Sequence, residues 1–508
     1  AFELYKNLPK VQTPTEGVQI SDETLEKFKS EINSFKSLAT KINEVNMSDV
    51  IVLLIATALK VNSSDIHIEA EEKEVIIRLR VDGVLQSAAT IEKEKWERII
   101  SRLKVLSKVK INIADKPQEG RFTIFTAGEN INVRSSFLPT VFGESVVMRL
   151  LHASSIKLSF DELGISAKTL AKIQEEIRKP NGLVLVTGPT GSGKTTTLYS
   201  ALNFLNVPGT KIITLEDPIE YQLEGINQSQ VDDSKGYTFS KGLQSVLRLD
   251  PDIVMIGEMR DLETAEISVR AALTGHLVLS TIHTNDAASA IPRLLDLGIK
   301  PYLLSPAINA LIGQRLVRVL CPHCKKIQEL TPVETEKVKK ILAVISPSAE
   351  VDVPKSLPPI YQSVGCDQCS GIGYIGRIGI YEVLLMSKAL KELTISNAPT
   401  FKILEQAIED GMITMLQDGI LKCLDGVTSL EEVFKVAGKM DYVDALYDIV
   451  ISRTLGRGIS LSEEHIKLGE EIKNNLKTDH GPMLTTHHTS EILAITMAGG
   501  LATKKKGS

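Results

Sequence analysis

Residues 188–195 read Gly188-Pro189-Thr190-Gly191-Ser192-Gly193-Lys194-Thr195. They fit G-x-x-x-x-G-K-[ST], and this stretch decides the fold. A short apolar run, Leu183–Thr187, precedes it and a helical pattern opens at Gly193. That strand–turn–helix setting is what gives the motif its physical meaning. Glycines let successive backbone N–H groups turn inward around an anion. The following helix adds the positive end of its dipole. Lys194 is then placed to neutralise β- and γ-phosphates, and the Thr195 hydroxyl to ligate Mg2+. Gly188, Pro189, Thr190, Gly191, Ser192, Gly193, Lys194, Thr195 and Thr196 form the expected ATP-binding segment.

Outward from this loop, strands and helices alternate from Leu158, the pattern of a parallel sheet. Lys211–Leu215, Ile253–Ile256 and Leu277–Ser280 read as further buried strands. Glu258 follows one of them and is expected at the sheet's carboxyl edge, where ligands of open α/β sheets bind. Upstream, Ser48–Lys60 is an apolar helix with Asn46 or Ser48 as its cap. Ile66–Glu69, Val75–Val81 and Leu85–Ala89 alternate as strands, with Asp82-Gly83 as a tight hairpin turn. Trp96–Val109 is an amphipathic helix, and Arg121–Thr126, Ile131–Ser136 and Ser145–Leu151 are strands again. Phe401–Val436 reads as helical.

The spacing predicts six regions. These are a linker and helix over 1–46, a small α+β domain over 47–152 and a P-loop domain over 153–320. A cysteine-bearing element over 321–371, a helical C-terminal region over 372–439 and an extension over 440–508 follow.

The chain has 508 residues, 43% hydrophobic and 24% charged, so a disordered or fibrous polymer is excluded. Its formal net charge of −5 argues against a general polyanion binder, and no nucleic-acid partner is expected. No apolar stretch approaches the ~18–20 residues of a spanning helix. The opening AFELYKNLPK lacks a basic region followed by an apolar one, so it is not read as a signal peptide. The sequence starts without Met, as expected of a processed or shortened chain with more sequence upstream.

Four of the five cysteines form two C-x-x-C knuckles, Cys321/Cys324 and Cys366/Cys369. Each turns two thiolates toward one point, and two knuckles complete a tetrahedral Zn2+ shell. A redox pair is disfavoured because no thioredoxin-like pattern surrounds either knuckle. With four protein ligands such a site is closed, hence structural. The long span between the knuckles is expected to hold a helix near Glu334–Ile345, and Cys423 to be a buried, inert thiol.

Several further segments carry a family resemblance. Thr214-Leu-Glu216-Asp217-Pro-Ile-Glu220 resembles the acidic box of secretion ATPases. Leu247-Arg248 through Glu258-Met-Arg260-Asp261 resembles their Walker B segment, and Ala272–His276 through His283-Thr-Asn285 their His box. Ser64-Asp65-Ile-His67-Ile-Glu69, Pro117–Arg121, Gly143–Arg149, Gly376-Arg377-Ile-Gly379 and Tyr381-Glu382 extend the likeness over roughly 47–439. The chain thus resembles the hexameric motors of type II secretion and type IV pilus assembly.

The resemblance implies a RecA-like P-loop ATPase core, α/β in class, after a small PAS-like α+β domain. It implies a zinc insertion and a helical C-terminal region, with ATP, Mg2+ and Zn2+ as cofactors. Glu258 would activate the attacking water, Glu216 would help orient water or metal, and His276 and His283 would attend the γ-phosphate. Arg134 and Arg149, on the smaller domain, match arginines that close onto the phosphates, and Arg248 matches another phosphate-proximal arginine. Where many relatives carry a second arginine, this chain has Gln244. Asp65, His67 and Glu69, alternating on one strand, are expected to make an interdomain polar contact.

The four-cysteine insertion favours assembly or secretion motors over retraction motors. The resemblance as a whole implies a homo-hexamer, expected to be cytoplasmic and peripheral at the inner face of the membrane, where it meets a membrane platform protein. Two other readings remain in view: a DNA-translocating ring ATPase, and an ATP-regulated scaffold with little turnover. In the extension, Asp441–Thr454 and Ser462–Leu476 read as amphipathic helices, and His487-His488 is a poor chelate.

Overall fold

The computed structural model describes residues 17–19, 23, 27–28, 35–126, 130–151, 159–354 and 356–438. The expected helices at 441–454 and 462–476, and His487-His488, lie outside the described residues.

The N-terminal part is one seven-stranded sheet with helices on one face. Its elements are β1 (Gly17–Gln19), α1 (Phe35–Glu44), α2 (Met47–Lys60), β2 (Ser63–Ala70), β3 (Glu74–Val81) and β4 (Val84–Glu92). They continue with α3 (Lys93–Leu106), β5 (Gln118–Phe125), β6 (Asn130–Thr140) and β7 (Gly143–Leu151). The sheet order is β1-β5-β6-β7-β2-β3-β4. Every pair is antiparallel except β1 on β5, so a piece of the expected linker is an edge strand.

Alternation explains the layer. Val75, Ile77, Leu79 and Val81 of β3 are buried and face Ile51, Leu54, Ile55 and Trp96 in one apolar core. Asp82 and Gly83 both hold positive φ, 49° and 85°, as a two-residue hairpin with matching twist requires. Asn46 stands at the cap of α2. Helix α3 stops at Leu106, three residues short of the expected Val109. Lys108 turns left-handed at φ 58°, and the Val109 N–H bonds the Lys104 carbonyl. This helix end explains Pro117–Arg121: a Cβ on Gly120 would stand 2.1 Å from the Ser107 carbonyl oxygen.

The second sheet contains β8 (Gly182–Thr187), β9 (Ile212–Glu216), β10 (Asn227–Gln230), β11 (Ile253–Ile256) and β12 (Leu277–Ile282). Two long strands complete it, β13 (Ile308–Leu320) and, after the β14 (Lys326–Gln328) and β15 (Ile360–Gln362) hairpin, β16 (Tyr374–Leu385). The order is β10-β9-β11-β12-β8-β13-β16, parallel throughout except β16. Every residue of β8, β9, β11 and β12 is buried, as expected for strands covered on both faces.

The covering helices are α4 (Ala167–Ile177), α5 (Lys194–Leu205), α6 (Phe239–Val246), α7 (Leu262–Leu273), α8 (Ala290–Asp296) and α9 (Pro301–Ala307). Helix α10 (Pro332–Ala343) lies between the knuckles. Its residues from Glu336 group, with Val344, into a second compact unit, while both sheets belong to the first. The C-terminal region carries four helices, α11 (Lys388–Ile395), α12 (Thr400–Glu409), α13 (Met415–Leu424) and α14 (Leu430–Ala437), the last three over the expected Phe401–Val436 stretch. Phe401–Val436 is therefore broken twice, and β16, within the stretch expected to be helical, is a strand of the second sheet.

Gly120→Ala should destabilise the N-terminal sheet by about 1–3 kcal/mol, because the added methyl meets backbone that cannot yield. Denaturant unfolding of the variant against the parent checks it.

Candidate functional site

Register decides which side chains meet. Thr187 of β8 pairs with Ile282 of β12, Ser280 of β12 with Ile256 of β11, and Ile256 with Leu215 of β9. The phosphate loop after β8, Glu216 ending β9, Glu258 after β11 and His283 after β12 therefore leave the sheet at one edge.

The loop is braced from β13. Gln314, buried, donates from Nε2 to the Ser192 carbonyl at 2.7 Å and accepts from the Thr197 hydroxyl of α5 at 2.8 Å. A Cβ on Gly188, at φ 152°, would stand 2.5 Å from Ser192 Oγ and 2.7 Å from the Gln314 carbonyl oxygen. Lys194 Nζ donates to the carbonyls of Gly188 at 2.8 Å and Pro189 at 3.1 Å. Burial lowers the Lys194 pKa, Glu258 opposes that, and Arg315 adds to it. Thr195 is exposed on the first turn of α5, and its hydroxyl has no hydrogen bond among the described residues. A divalent cation beside bound phosphate fits there. Gln314 and Arg315 carry no local motif of their own. Only the pairing of Gly313 with Thr187 shows that they stand level with the loop.

Glu258 is the acid that faces this loop. Its Oε2 lies 3.3 Å from His283 Nε2, and its Oε1 accepts from Arg260, whose Nη1 is 3.9 Å from Asp217. Burial pushes the Glu258 carboxyl upward. Its hydrogen bond from Arg260 and the charges of Arg260, His283 and Lys194 outweigh that and hold it below the usual carboxylate range. It is therefore ionised at neutral pH, an acceptor aimed at the phosphate loop.

Other expected residues are placed differently. Glu216 is buried, and its carboxylate accepts from Tyr199, from Thr214 at 2.5 Å and from Gln228 at 3.0 Å. Three donors occupy it, so it anchors β9 to α5 and β10 and is not free to orient water or metal. His276 precedes β12, beside Gly182 at the start of β8, and its Nδ1 lies 3.2 Å from the Ala271 carbonyl oxygen. A strand of six residues, about 17 Å long, separates that edge from the phosphate loop. His276 cannot sense a γ-phosphate on its own chain's loop. Arg248 fails for the same reason. It follows α6 and precedes the amino end of β11, exposed and without a hydrogen bond or ion pair among the described residues.

Of the two arginines on the first sheet, Arg134 donates to the Ile219 carbonyl at 2.9 Å and lies 3.6 Å from Glu220. It thus reaches the acidic box rather than the phosphate loop. Arg149 Nε donates to Asp65 at 3.0 Å. Asp65 also holds Arg80, at 3.3 Å, and His67 lies 3.7 Å from Glu69. The Asp65–Glu69 stretch is therefore a network within its own sheet, not the expected contact between domains.

The four cysteines come together as expected. Their sulfurs all lie within 4.8 Å of one another, with Cys321–Cys366 at 3.9 Å and Cys324–Cys369 and Cys366–Cys369 at 3.8 Å. A tetrahedron of Zn–S bonds of about 2.3 Å has edges of about 3.8 Å. Backbone N–H groups of Gly365, Cys366 and Gly373 point at Cys324 and Cys369 sulfur, 3.1–3.3 Å away. Such donors stabilise thiolates. Burial raises the Cys369 thiol, but these donors bring it down to about 7, while burial takes Cys321 up to about 11. The donor set fits zinc. Cys423 is buried and its pKa raised, an inert thiol.

A family model described as "Type II/IV secretion system protein" matches residues 42–435. The type IV pilus assembly ATPase PilB of Myxococcus xanthus is 44% identical over 410 residues, 80% of this chain and 71% of that protein. Type II secretion system protein E of Aeromonas hydrophila is 45% identical over 383 residues, 75% of this chain and 74% of that one. Among solved structures, the pilus retraction motor PilT with bound ADP aligns at TM-score 0.51 and 25% identity, over 77% of this chain and 98% of that chain. The Yersinia pseudotuberculosis ATPase DotB aligns at 0.55 and 19% identity, over 77% and 94%, a likeness of fold.

Two outcomes follow from this geometry. Gln314→Ala removes the brace under Ser192 and should weaken binding of a fluorescent ATP analogue about tenfold, the equivalent of ~1.4 kcal/mol. A strong chelator should strip one zinc per chain, read by metal analysis, and lower the thermal midpoint by roughly 5 °C or more.

Proposed function

The chain belongs to the type II/IV secretion system protein family, and from that premise we propose that it is a ring motor whose ATP hydrolysis drives pilus or pseudopilus assembly. It is an ATPase of this family. The observation that carries the reading is Glu258, ionised, beside His283 and facing Lys194 at the edge where the phosphate loop opens.

The loop N–H groups and Lys194 bind the β- and γ-phosphates. Thr195 would hold Mg2+, which would supply charge neutralisation to the bound phosphates. Glu258 accepts a proton from the water that attacks the γ-phosphorus, and His283 fixes the orientation of that carboxylate. Arg260, bound to Glu258, keeps it anionic until the proton arrives. Arg134 and Arg149 are the cations of the first sheet that approach the phosphates on closure. The charge that grows on the γ-oxygens is what such groups stabilise.

We take the assembly to be a homo-hexamer in which each first sheet packs on a neighbour's second sheet. Its rigid-body shifts would act on a membrane platform protein. The cysteine cluster holds Zn2+ as a structural clip. Both 44–45% relatives are assembly or secretion proteins by name, which favours extension over retraction.

The test is phosphate release against protein concentration for the parent chain and for Glu258→Gln. The parent should turn over more per chain as concentration rises. The variant should bind ATP within a few-fold of the parent and lose about 10²–10⁴-fold in kcat. Equal turnover in Glu258→Gln would sink the role given to that residue.

A further inference from the structure

We propose that Glu382 is a positioning residue for hydrolysis: its carboxylate holds the turn behind His283 and joins that turn to the first turn of α13. The proposal rests on the reading that Glu258 and His283 serve the attacking water.

Glu382 sits on β16 and is buried. Its Oε1 accepts from the Ala287 N–H at 2.6 Å, and its Oε2 from the Met415 N–H at 3.3 Å. The Met415 N–H opens α13, so it has no acceptor within its own helix and carries the positive end of the dipole. Opposite Glu382, β13 places Gly313, where a Cβ would stand 2.8 Å from the Glu382 Cγ and Oε1. The glycine is the space the carboxylate occupies.

The turn over 284–287 is held at three points. Thr284 N–H donates to the Thr187 hydroxyl, at the end of the strand feeding the phosphate loop, at 3.1 Å. The Asn285 carbonyl accepts from Arg315 at 2.6 Å. Ala287 is held by Glu382. His283, the next residue back, stands 3.3 Å from Glu258. Three consecutive residues of β13 thus serve one site. Gly313 admits Glu382, Gln314 braces the phosphate loop, and Arg315 holds the turn. Of the three holds on the turn, Glu382 alone also bonds the C-terminal helices, so a shift of α13 is transmitted to His283 through this carboxylate.

The arrangement requires two acceptor oxygens, whatever the charge: burial and the nearby Asp286 raise the Glu382 pKa to about 7, against the Ala287 and Met415 N–H donors and Arg315. In Glu382→Gln, of equal shape, one of the two N–H groups faces an NH2 group, and one hold is lost. Misplacing a catalytic group from outside the reacting centre costs roughly 10–100-fold in rate. The full chain carrying Glu382→Gln should lose that much in kcat, with KM for ATP within about twofold, because the phosphate loop is held separately by Gln314. If Glu382 acts through His283, the loss disappears in a His283→Ala background.

A second variant, Met415→Pro, deletes the α13 hold along with part of a buried side chain. Proline suits the first helical position, and Thr414 before it already has φ −76° and ψ 159°, as proline demands of its predecessor. It should lower kcat in the same His283-dependent way. Losses that add to that of His283→Ala, or parent-like kcat in Glu382→Gln, overturn the proposal. If His283→Ala turns over too slowly to measure, amide exchange decides. Glu382→Gln must then accelerate exchange over 283–289 and leave 308–320 unchanged, and the reverse overturns it. Parent-like hydrolysis by Glu258→Gln would overturn the underlying reading as well. A dead Glu258→Gln with an unaffected Glu382→Gln overturns the Glu382 role alone.

Discussion

The parallel register of β8, β12, β11 and β9 is the constraint from which the site follows. Each strand is four to six residues, buried on both faces, and each hands the chain to a functional loop at its carboxyl end. Because side chains alternate along a strand, a slip of one residue in β11 would turn its whole apolar set over. It would also move Glu258 along the edge relative to His283 and Lys194. The apolar packing that fixes the register therefore also fixes the distance between the acid and the phosphate loop.

At that edge, hydrogen-bond partners decide which acid remains available. Glu216 and Glu258 both end parallel strands, and from sequence both look suited to the same chemistry. Tyr199, Thr214 and Gln228 take up the Glu216 carboxylate inside the protein. Glu258 has a cation and an imidazole instead, and stays ionised despite burial. An unpaired carboxylate in that setting would take up a proton. The Arg260 contact, on a side chain otherwise well exposed, is what the acid depends on to remain a base.

The sequence was most informative where residues are contiguous. The phosphate loop, the two cysteine knuckles, the Asp82-Gly83 turn and most strands of both sheets are visible as local patterns, because each is set by backbone conformation or by a period of two. What escaped reading depends on pairing across long separations. Gln314 braces Ser192 from 122 residues away, and Ala287 meets Glu382 across 95. His276 and Arg248 show the opposite error. Motif likeness places them near a phosphate, but each precedes its strand instead of following it, and so stands at the wrong edge. The expected helix Phe401–Val436 is too long because propensity does not register the turns that tertiary packing imposes, and β16 lacks a clear strand pattern because its first half is Gly- and Arg-bearing and half exposed, with a continuous buried run only from Gly379.

The two sheets differ in how firmly they are held together. Each has its own apolar core, the first around β3, α2 and Trp96, the second around β8, α4 and α5. Between them, among the described residues, the polar links are few. Arg134 bonds the Ile219 carbonyl, and Asp82 accepts from the Gly376 N–H at 2.9 Å, with Arg377 3.9 Å away. Each such link contributes about 1 kcal/mol, small beside what burial gives either core. Rearranging one sheet against the other costs a handful of hydrogen bonds and ion pairs and the packing of Ile372 on the first core, while deforming either sheet costs its own packing. Moreover, the links meet the second sheet at the acidic box and at the start of β16, which follows the second cysteine knuckle. The parts of the second sheet that feel the first are therefore the acidic box after Glu216 and the start of β16, the same strand that carries Glu382.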